Sequence, residues 1–245
     1  MQQLHRLRDL KGYCLNATDG EIGHLQEAYF DDASWRVRYF VVRTGGWLLG
    51  RDVLVAPRSV TGVDEQHQCL EVNVTRDKIK GSPPVGAEKP VSRHYEEEFF
   101  RYYEWERYWI TETLTGVPAP PASAAQVQSH RLPAKPDQPG LRSSDEVSGY
   151  SIHASDGQVG NVADLIIEDG DWSVRYLEVD TRAWLPGKHV LVAPAWIREV
   201  SWSGHRVSVD LRSESIRTAP PYDPLKLITP DDELRLYSHY GKAVE

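Results

Sequence analysis

Two pairs of carboxylates recur at a fixed distance along this chain and are the first candidates for chemistry. Asp19 and Asp156 lie 137 positions apart, as do Glu96 and Glu233. Carboxylates that converge on one site can act as general acid and base. Each aspartate, however, precedes a glycine, and Asp-Gly is typical of a tight hairpin turn. The glutamates fall early in predicted helices, where a negative charge is favourable. We therefore predict structural roles for all four.

One arginine in each half of the chain lies inside an otherwise apolar stretch. Arg38 and Arg175 are 137 positions apart, and the acidic residues Glu27 and Asp164 share that spacing. Because a charge buried in a sheet needs a partner, we predict the ion pairs Arg38–Glu27 and Arg175–Asp164. The alternative is that both arginines capture an anionic ligand.

Residues that could form a metal or nucleophilic site show no suitable spacing. The nine histidines include no H-x-H or H-x-x-x-H pair, and the two cysteines do not form C-x-x-C. The sequence has neither a glycine-rich phosphate loop nor a G-x-S-x-G nucleophile motif. We therefore predict no catalytic residue, no cofactor and no metal, and a protein that is not an enzyme.

The two cysteines could instead pair with each other. Cys14 and Cys69 align, at the same spacing of 137, with Ser151 and Arg206. Because the second half of the chain lacks both cysteines, and because we expect a reducing compartment, we predict two buried thiols. A disulfide is the alternative.

An aromatic cluster follows the first of the recurring glutamates. Aromatic residues dominate the energetics of protein interfaces, so the cluster is the candidate protein-contact site, against the other half of the chain or in a dimer. The alternative is packing on its own half alone. Its members are Phe99, Phe100, Tyr103, Trp105, Tyr108 and Trp109.

All these recurrences reflect one tandem duplication. From Gly12 to Pro84, 26 of 73 residues are identical to the residue 137 positions later, without a gap. Each copy is long enough to bury its own core. We assign residues 1–110 to repeat 1 and 147–245 to repeat 2. Residues 111–146 contain six prolines among Ala, Ser and Gln, a composition that predicts an extended linker.

The pattern within each repeat predicts a mainly β fold. V-L-V-A-P occurs at 53–57 and at 190–194, and a β-branched apolar run stopped by proline indicates a short strand buried on both faces. Five or six such antiparallel strands predict a small closed or nearly closed barrel. Phe40 and Val42 should point inward, because repeat 2 keeps both positions apolar.

Each repeat then changes to a helical period. Thr229 and Pro230 have the residue types of an N-cap and a first helical position, and Ser92 opens the matching helix of repeat 1. We predict a short C-terminal helix packed outside each barrel.

Charge and composition exclude some partners. The chain has 36 acidic and 28 basic residues, a net charge of −8, whereas nucleic-acid binding depends on neutralising phosphates. We therefore expect no direct contact with nucleic acid. The N-terminus lacks the apolar core of a signal peptide, so we expect a cytoplasmic protein.

The repeated motif resembles a known family. G-Y-x-x-x-A-x-D-G-x-x-G occurs at 12–23 and at 149–160, each followed by W-x-V-R-Y and V-L-V-A-P. This pattern is similar to the PRC-barrel domain of the photosynthetic reaction centre H subunit and of the bacterial ribosome maturation factor. The resemblance implies two tandem PRC-type β-barrels joined by a Pro/Ala-rich linker. The motif positions shared by both repeats are Asp19, Gly20, Gly23, Arg38, Asp156, Gly157, Gly160 and Arg175.

The resemblance also implies a function. It favours a non-enzymatic interaction or scaffold module, H-subunit-like or stress-associated, whose partners are an unknown protein, a second copy in a homodimer, or a membrane complex contacted peripherally. Two alternatives are a ribosome-assembly adaptor and a small-molecule-binding barrel, which would need a polar pocket in each repeat.

Overall fold

The fold is mainly β, as the sequence predicts, and contains two seven-stranded sheets where five or six strands in each repeat were expected. The structure is a computed structural model that describes residues 3–85, 91–109, 140–181 and 188–243. The first part of the chain forms β1 (Leu4–Arg6), α1 (Leu7–Leu10), β2 (Cys14–Ala17), β3 (Gly20–Asp31), β4 (Val37–Thr44), β5 (Asp52–Val55), β6 (Val60–Asp64), β7 (Cys69–Val72), α2 (Arg76–Lys80) and α3 (Arg93–Tyr103). The second forms β8 (Leu141–Ser143), α4 (Ser144–Val147), β9 (Ser151–Ala154), β10 (Gly157–Glu168), β11 (Val174–Asp180), β12 (His189–Val192), β13 (Ile197–Ser201), β14 (Arg206–Val209), α5 (Ser213–Thr218) and α6 (Pro230–Tyr240).

Both sheets have the same strand order. The first runs β5-β4-β3-β2-β7-β6 and the second runs β12-β11-β10-β9-β14-β13. Most neighbours are antiparallel, but β2 pairs with β7, and β9 with β14, in parallel. The expectation of antiparallel strands throughout is therefore wrong at one pair in each repeat, because β7 and β14 return beside a strand that is not their hairpin neighbour. Among the ladders of the described residues, the edge strands β5 and β6 do not pair with each other, and neither do β12 and β13.

The seventh strand of each sheet comes from the other repeat. β1 pairs antiparallel with residues 166–168 of β10, and β8 pairs in the same way with residues 29–31 of β3. The two pairings are related by the spacing of 137, so the repeats exchange equivalent N-terminal arms. This corrects the predicted boundaries. Residues 141–146, assigned to the linker, belong to the arm laid on repeat 1, whereas the part of the linker at 111–139 lies outside the described residues.

The central strands are buried on both faces. Phe40 and Val42 lie in the interior core, which confirms the predicted orientation, and Leu54 and its neighbours in V-L-V are buried as expected. The opposite face of β4 is buried as well, because Val41 clusters with Phe99 of α3. In β11 the residue at that position is Glu178, which is also fully buried.

The C-terminal helices begin where the residue types indicate. The Ser92 hydroxyl accepts a hydrogen bond from the Tyr95 amide at 3.3 Å, before the first turn of α3. Thr229 and Asp232 form a reciprocal capping box at the start of α6. Helix α3 packs its aromatic side chains on the face of the sheet that carries Tyr39 and Val41.

The two cysteines form a disulfide, so the prediction of free thiols is wrong. Cys14 in β2 and Cys69 in β7 are direct partners in the parallel ladder, with Cα atoms 4.5 Å apart. Adjacent strands bring the two side chains within bonding distance, although 55 residues separate them along the chain.

Candidate functional site

The Asp-Gly positions of the repeated motif form hairpins and cap helices. Gly20 takes a positive φ of 133° at the β2–β3 turn, where a side chain would be strained. The preceding Asp19 carboxylate accepts a hydrogen bond from the Arg76 amide at 2.7 Å, at the start of α2. Asp156 accepts the equivalent bond from Ser213 at 2.7 Å. The aspartates thus hold a turn against a helix 57 residues away, which explains their recurrence.

The second glycine of the motif allows strands to approach closely. A Cβ atom on Gly23 would collide with the carbonyl of Arg43, and one on Gly160 with the carbonyl of Asp180. In each repeat only glycine fits between the long strand and its neighbour. These motif residues therefore shape the sheets.

The predicted partner of the second recurring arginine is wrong. Arg175 lies 4.0 Å from Glu168, whereas Asp164 lies 3.6 Å from Arg6 of the exchanged arm. The other arginine, Arg38, donates to the Ser34 hydroxyl at 3.2 Å and stacks on the Tyr108 ring at 3.8 Å. The sequence did not predict the exchanged arm, whose Arg6 takes the partner that was expected for Arg175.

The aromatic cluster packs mainly within repeat 1, which was the alternative interpretation. Phe99, Phe100 and Tyr103 are at most 8% exposed, so these three cannot contact a partner in the folded chain. Trp105 and Trp109 are half-buried and pack on Phe100. Helix α3 and the following residues 104–109 bury each other's aromatic side chains. The sequence did not predict this mutual burial.

A buried carboxylate lies at the centre of this cluster. Glu96 is fully buried and accepts hydrogen bonds from the hydroxyls of Tyr39 at 3.0 Å and Tyr108 at 2.8 Å. Arg93 lies 2.8 Å away. Burial raises the pKa of Glu96, which these charged and hydrogen-bonded neighbours oppose. The four groups join α3, β4 and the segment after α3.

Repeat 2 exposes leucines where repeat 1 does not carry them. Leu225, Leu227 and Leu234 are 94%, 65% and 58% exposed. At the positions 137 residues earlier, repeat 1 has Glu88, Pro90 and Glu97. We call these three residues of repeat 2 the leucine surface. Exposed apolar side chains that only one of the two related copies carries are a candidate contact site.

One family model matches the chain, over residues 3–80, and its description is the PRC-barrel domain. Repeat 1 contains a PRC-barrel domain. No curated protein matches the sequence. Repeat 2 lies outside the matched residues but has the strand order of this PRC-barrel domain.

The arm of the PRC-barrel domain builds a buried ionic cluster in repeat 2. Arg6 Nε lies 2.9 Å from the fully buried Glu178 carboxylate, whose other oxygen lies 2.6 Å from His189 Nδ1. Asp164 accepts hydrogen bonds from the Arg8 amide at 3.1 and 3.2 Å. Burial raises the pKa of Asp164 to about 6. Repeat 1 has Val41 at the position that Glu178 occupies in repeat 2. This difference between the repeats is the sequence feature that could have indicated the ionic cluster.

The opposite arm is anchored by different chemistry. Arg142 lies 3.3 Å from Asp32 and stacks on Trp202. The Ser143 hydroxyl donates to Glu27, and Ser144 accepts from the Ala28 amide at 3.1 Å. Both arms therefore bind their strands through the backbone ladder, and through side chains specific to each.

The described ranges contain neither a metal-binding cluster nor a membrane-spanning helix. In those ranges no three His, Cys, Asp or Glu side chains are arranged to hold a metal ion. No helix there is long and apolar enough to cross a membrane.

Proposed function

We propose that this chain is a non-enzymatic protein-interaction scaffold built from two PRC-type repeats. The observation that carries the proposal is the leucine surface. Three leucines between 58% and 94% exposed lie within residues 225–234, and grouped exposed apolar side chains are typical of a contact site. The aspartates, glutamates and arginines considered for chemistry hold turns, helices and arms in place. This accounts for them without catalysis.

The exchanged arms support a scaffold role. Because each repeat supplies a strand to the other, the surfaces of the two repeats are held in one fixed arrangement. A contact surface on repeat 2 then has a defined position relative to repeat 1. The resemblance to the reaction centre H subunit favours attachment to a larger assembly, and the leucine surface is where we place that attachment.

The alternative of a small-molecule-binding barrel has less support. It requires a polar pocket inside each repeat. Two recesses in the described part of the chain, of about 270 and 300 Å³, instead lie between the repeats. The first is lined by β6 and the β10–β11 turn, and the second by α1 and α4.

Affinity capture of the tagged full-length chain from native extract tests the scaffold proposal. We expect one or more proteins to be retained in fixed proportion, and the variant with Leu225→Glu and Leu234→Glu to lose them. Leu49→Glu is the matched control, because Leu49 is 96% exposed in repeat 1. Recovery of the chain alone, or of small ribosomal subunits with wild type and both variants, would argue against it.

A further inference from the structure

We infer that the leucine surface binds a basic amphipathic helix of a partner protein. The inference rests on the proposed function and names the class of partner. It follows from three features of repeat 2: the exposed leucines, their arrangement along the chain, and the charges beside them.

The leucine surface is specific to repeat 2. Leu225 and Leu234 replace Glu88 and Glu97 of repeat 1. Helices α3 and α6 are equivalent, so the architecture tolerates a charge at the Leu234 position and does not require leucine there. The leucines are thus explained by something that repeat 2 contacts and repeat 1 does not.

The leucines lie on two adjoining segments. Leu225 and Leu227 belong to the stretch that leads into α6, and Leu234 lies in the second turn of that helix. All three leucines therefore lie within residues 225–234, on the leading stretch and the first turns of α6. A helix that presents residues at i, i+3, i+4 and i+7 can cover such a surface.

The charges beside the leucines select the partner. Residues 221–235 contain Asp223, Asp231, Asp232 and Glu233 but only two basic residues. The first three acids are exposed, and Lys226 already lies 3.4 Å from Asp223. The rim is therefore negative, and a helix flanked by Lys or Arg would complement it.

The same charges disfavour other occupants. A second copy would bring an identical acidic rim and the same net charge of −8 to an isologous contact. An anionic membrane would be repelled for the same reason. We therefore commit to a protein helix with basic flanks.

A synthetic Leu/Lys amphipathic peptide of about five helical turns is the probe. Labelled peptide is titrated with the full-length chain and followed by fluorescence anisotropy. We expect saturable binding that weakens at least about tenfold in the Leu225→Glu, Leu234→Glu variant, since two buried leucines are lost. The substitutions add negative charge, so general attraction to lysine would strengthen instead. Leu49→Glu should bind as wild type does.

Several outcomes would overturn the inference. They are equal or tighter binding by the double variant, no binding by wild type, equal binding of a Leu/Glu peptide, and a wild-type dimer that the double variant abolishes. Anionic phosphatidylglycerol vesicles that bind wild type but not the double variant would assign the surface to a membrane. If native capture succeeds and depends on the leucines while the Leu/Lys peptide fails, the scaffold proposal stands and only the partner class is wrong. If capture yields no protein, the scaffold proposal itself fails.

Discussion

Single substitutions between the repeats decide how each arm is held. Glu178 stands where repeat 1 has Val41, and Arg6 stands where the other arm has Ser143. A lone buried glutamate would be strongly destabilising, but the arginine and His189 lie within 2.9 Å of its carboxylate. The charge and its partner therefore belong together as one feature of repeat 2.

Asp164 should make stability depend on pH. Its pKa is raised from 3.8 to about 6 by burial, so the folded chain binds this proton more tightly than the unfolded chain does. The resulting stabilisation is complete below about pH 4 and is lost as the pH rises through 6. We expect the free energy of unfolding of wild type, relative to Asp164→Asn, to rise by about 1 kcal/mol from pH 7 to pH 5.

Urea unfolding of both proteins at the two pH values measures this difference. Other groups titrate in both proteins and cancel in the comparison. Asp156→Asn is the control, because Asp156 is exposed and hydrogen bonds from Ser213 lower its pKa. If the difference in free energy of unfolding between wild type and Asp164→Asn stays constant or falls on acidification, the pKa of Asp164 is not raised.

The roles of single residues were predictable only where the cause was local. Asp19 and Gly20 were assigned to a turn because that chemistry acts over two positions. The reason for Gly23, a collision with the Arg43 carbonyl, needs a neighbouring strand. Arg175 was assigned the wrong partner because Arg6 reaches Asp164 from 158 positions away.

At the scale of elements, hairpins and caps follow from sequence and parallel pairing does not. The β2–β3 hairpin and the start of α6 depend on residues within a few positions of each other. The β2–β7 ladder joins strands more than fifty positions apart, and nothing in either strand specifies its neighbour. That ladder produces the Cys14–Cys69 bond, so the error about the cysteines follows from the missed pairing.

The disulfide should stabilise repeat 1 through its loop. Closing a loop of 55 residues is worth about 2–4 kcal/mol, mainly because the cross-link restricts the unfolded chain. We expect dithiothreitol to lower the free energy of unfolding of wild type by about that amount, measured in urea. The Cys14→Ser, Cys69→Ser variant should not respond to the reductant.

Repeat 2 shows that the fold itself does not require the bond, since Ser151 and Arg206 occupy the two positions in a sheet of the same order. The reduced protein should therefore remain folded, as judged by its circular dichroism. If the reductant lowers the stability of wild type and of the double serine variant equally, the bond does not make this contribution.

For the whole molecule, the exchange of arms was the least predictable feature. The duplication was visible in the sequence, and it favoured two separate units joined by a linker. The arms β1 and β8 are three residues each, too short to show a strand period. Their destinations depend on which free edge each one meets in the folded chain.

The exchange should make both repeats unfold as one unit. Leu177→Ala creates a cavity in the core of repeat 2, at a fully buried position, and should cost about 2–5 kcal/mol. Because opening the repeat 2 sheet detaches β1, whose chain continues into repeat 1, we expect the most protected amides of β4 in repeat 1 to lose as much exchange protection as those of β11. Native-state hydrogen exchange with mass spectrometry measures both strands in one sample. Leu234→Ala, at an exposed position, should leave both strands unchanged. If β4 keeps its wild-type protection in Leu177→Ala while β11 loses its own, the repeats are independent and the arms do not couple them.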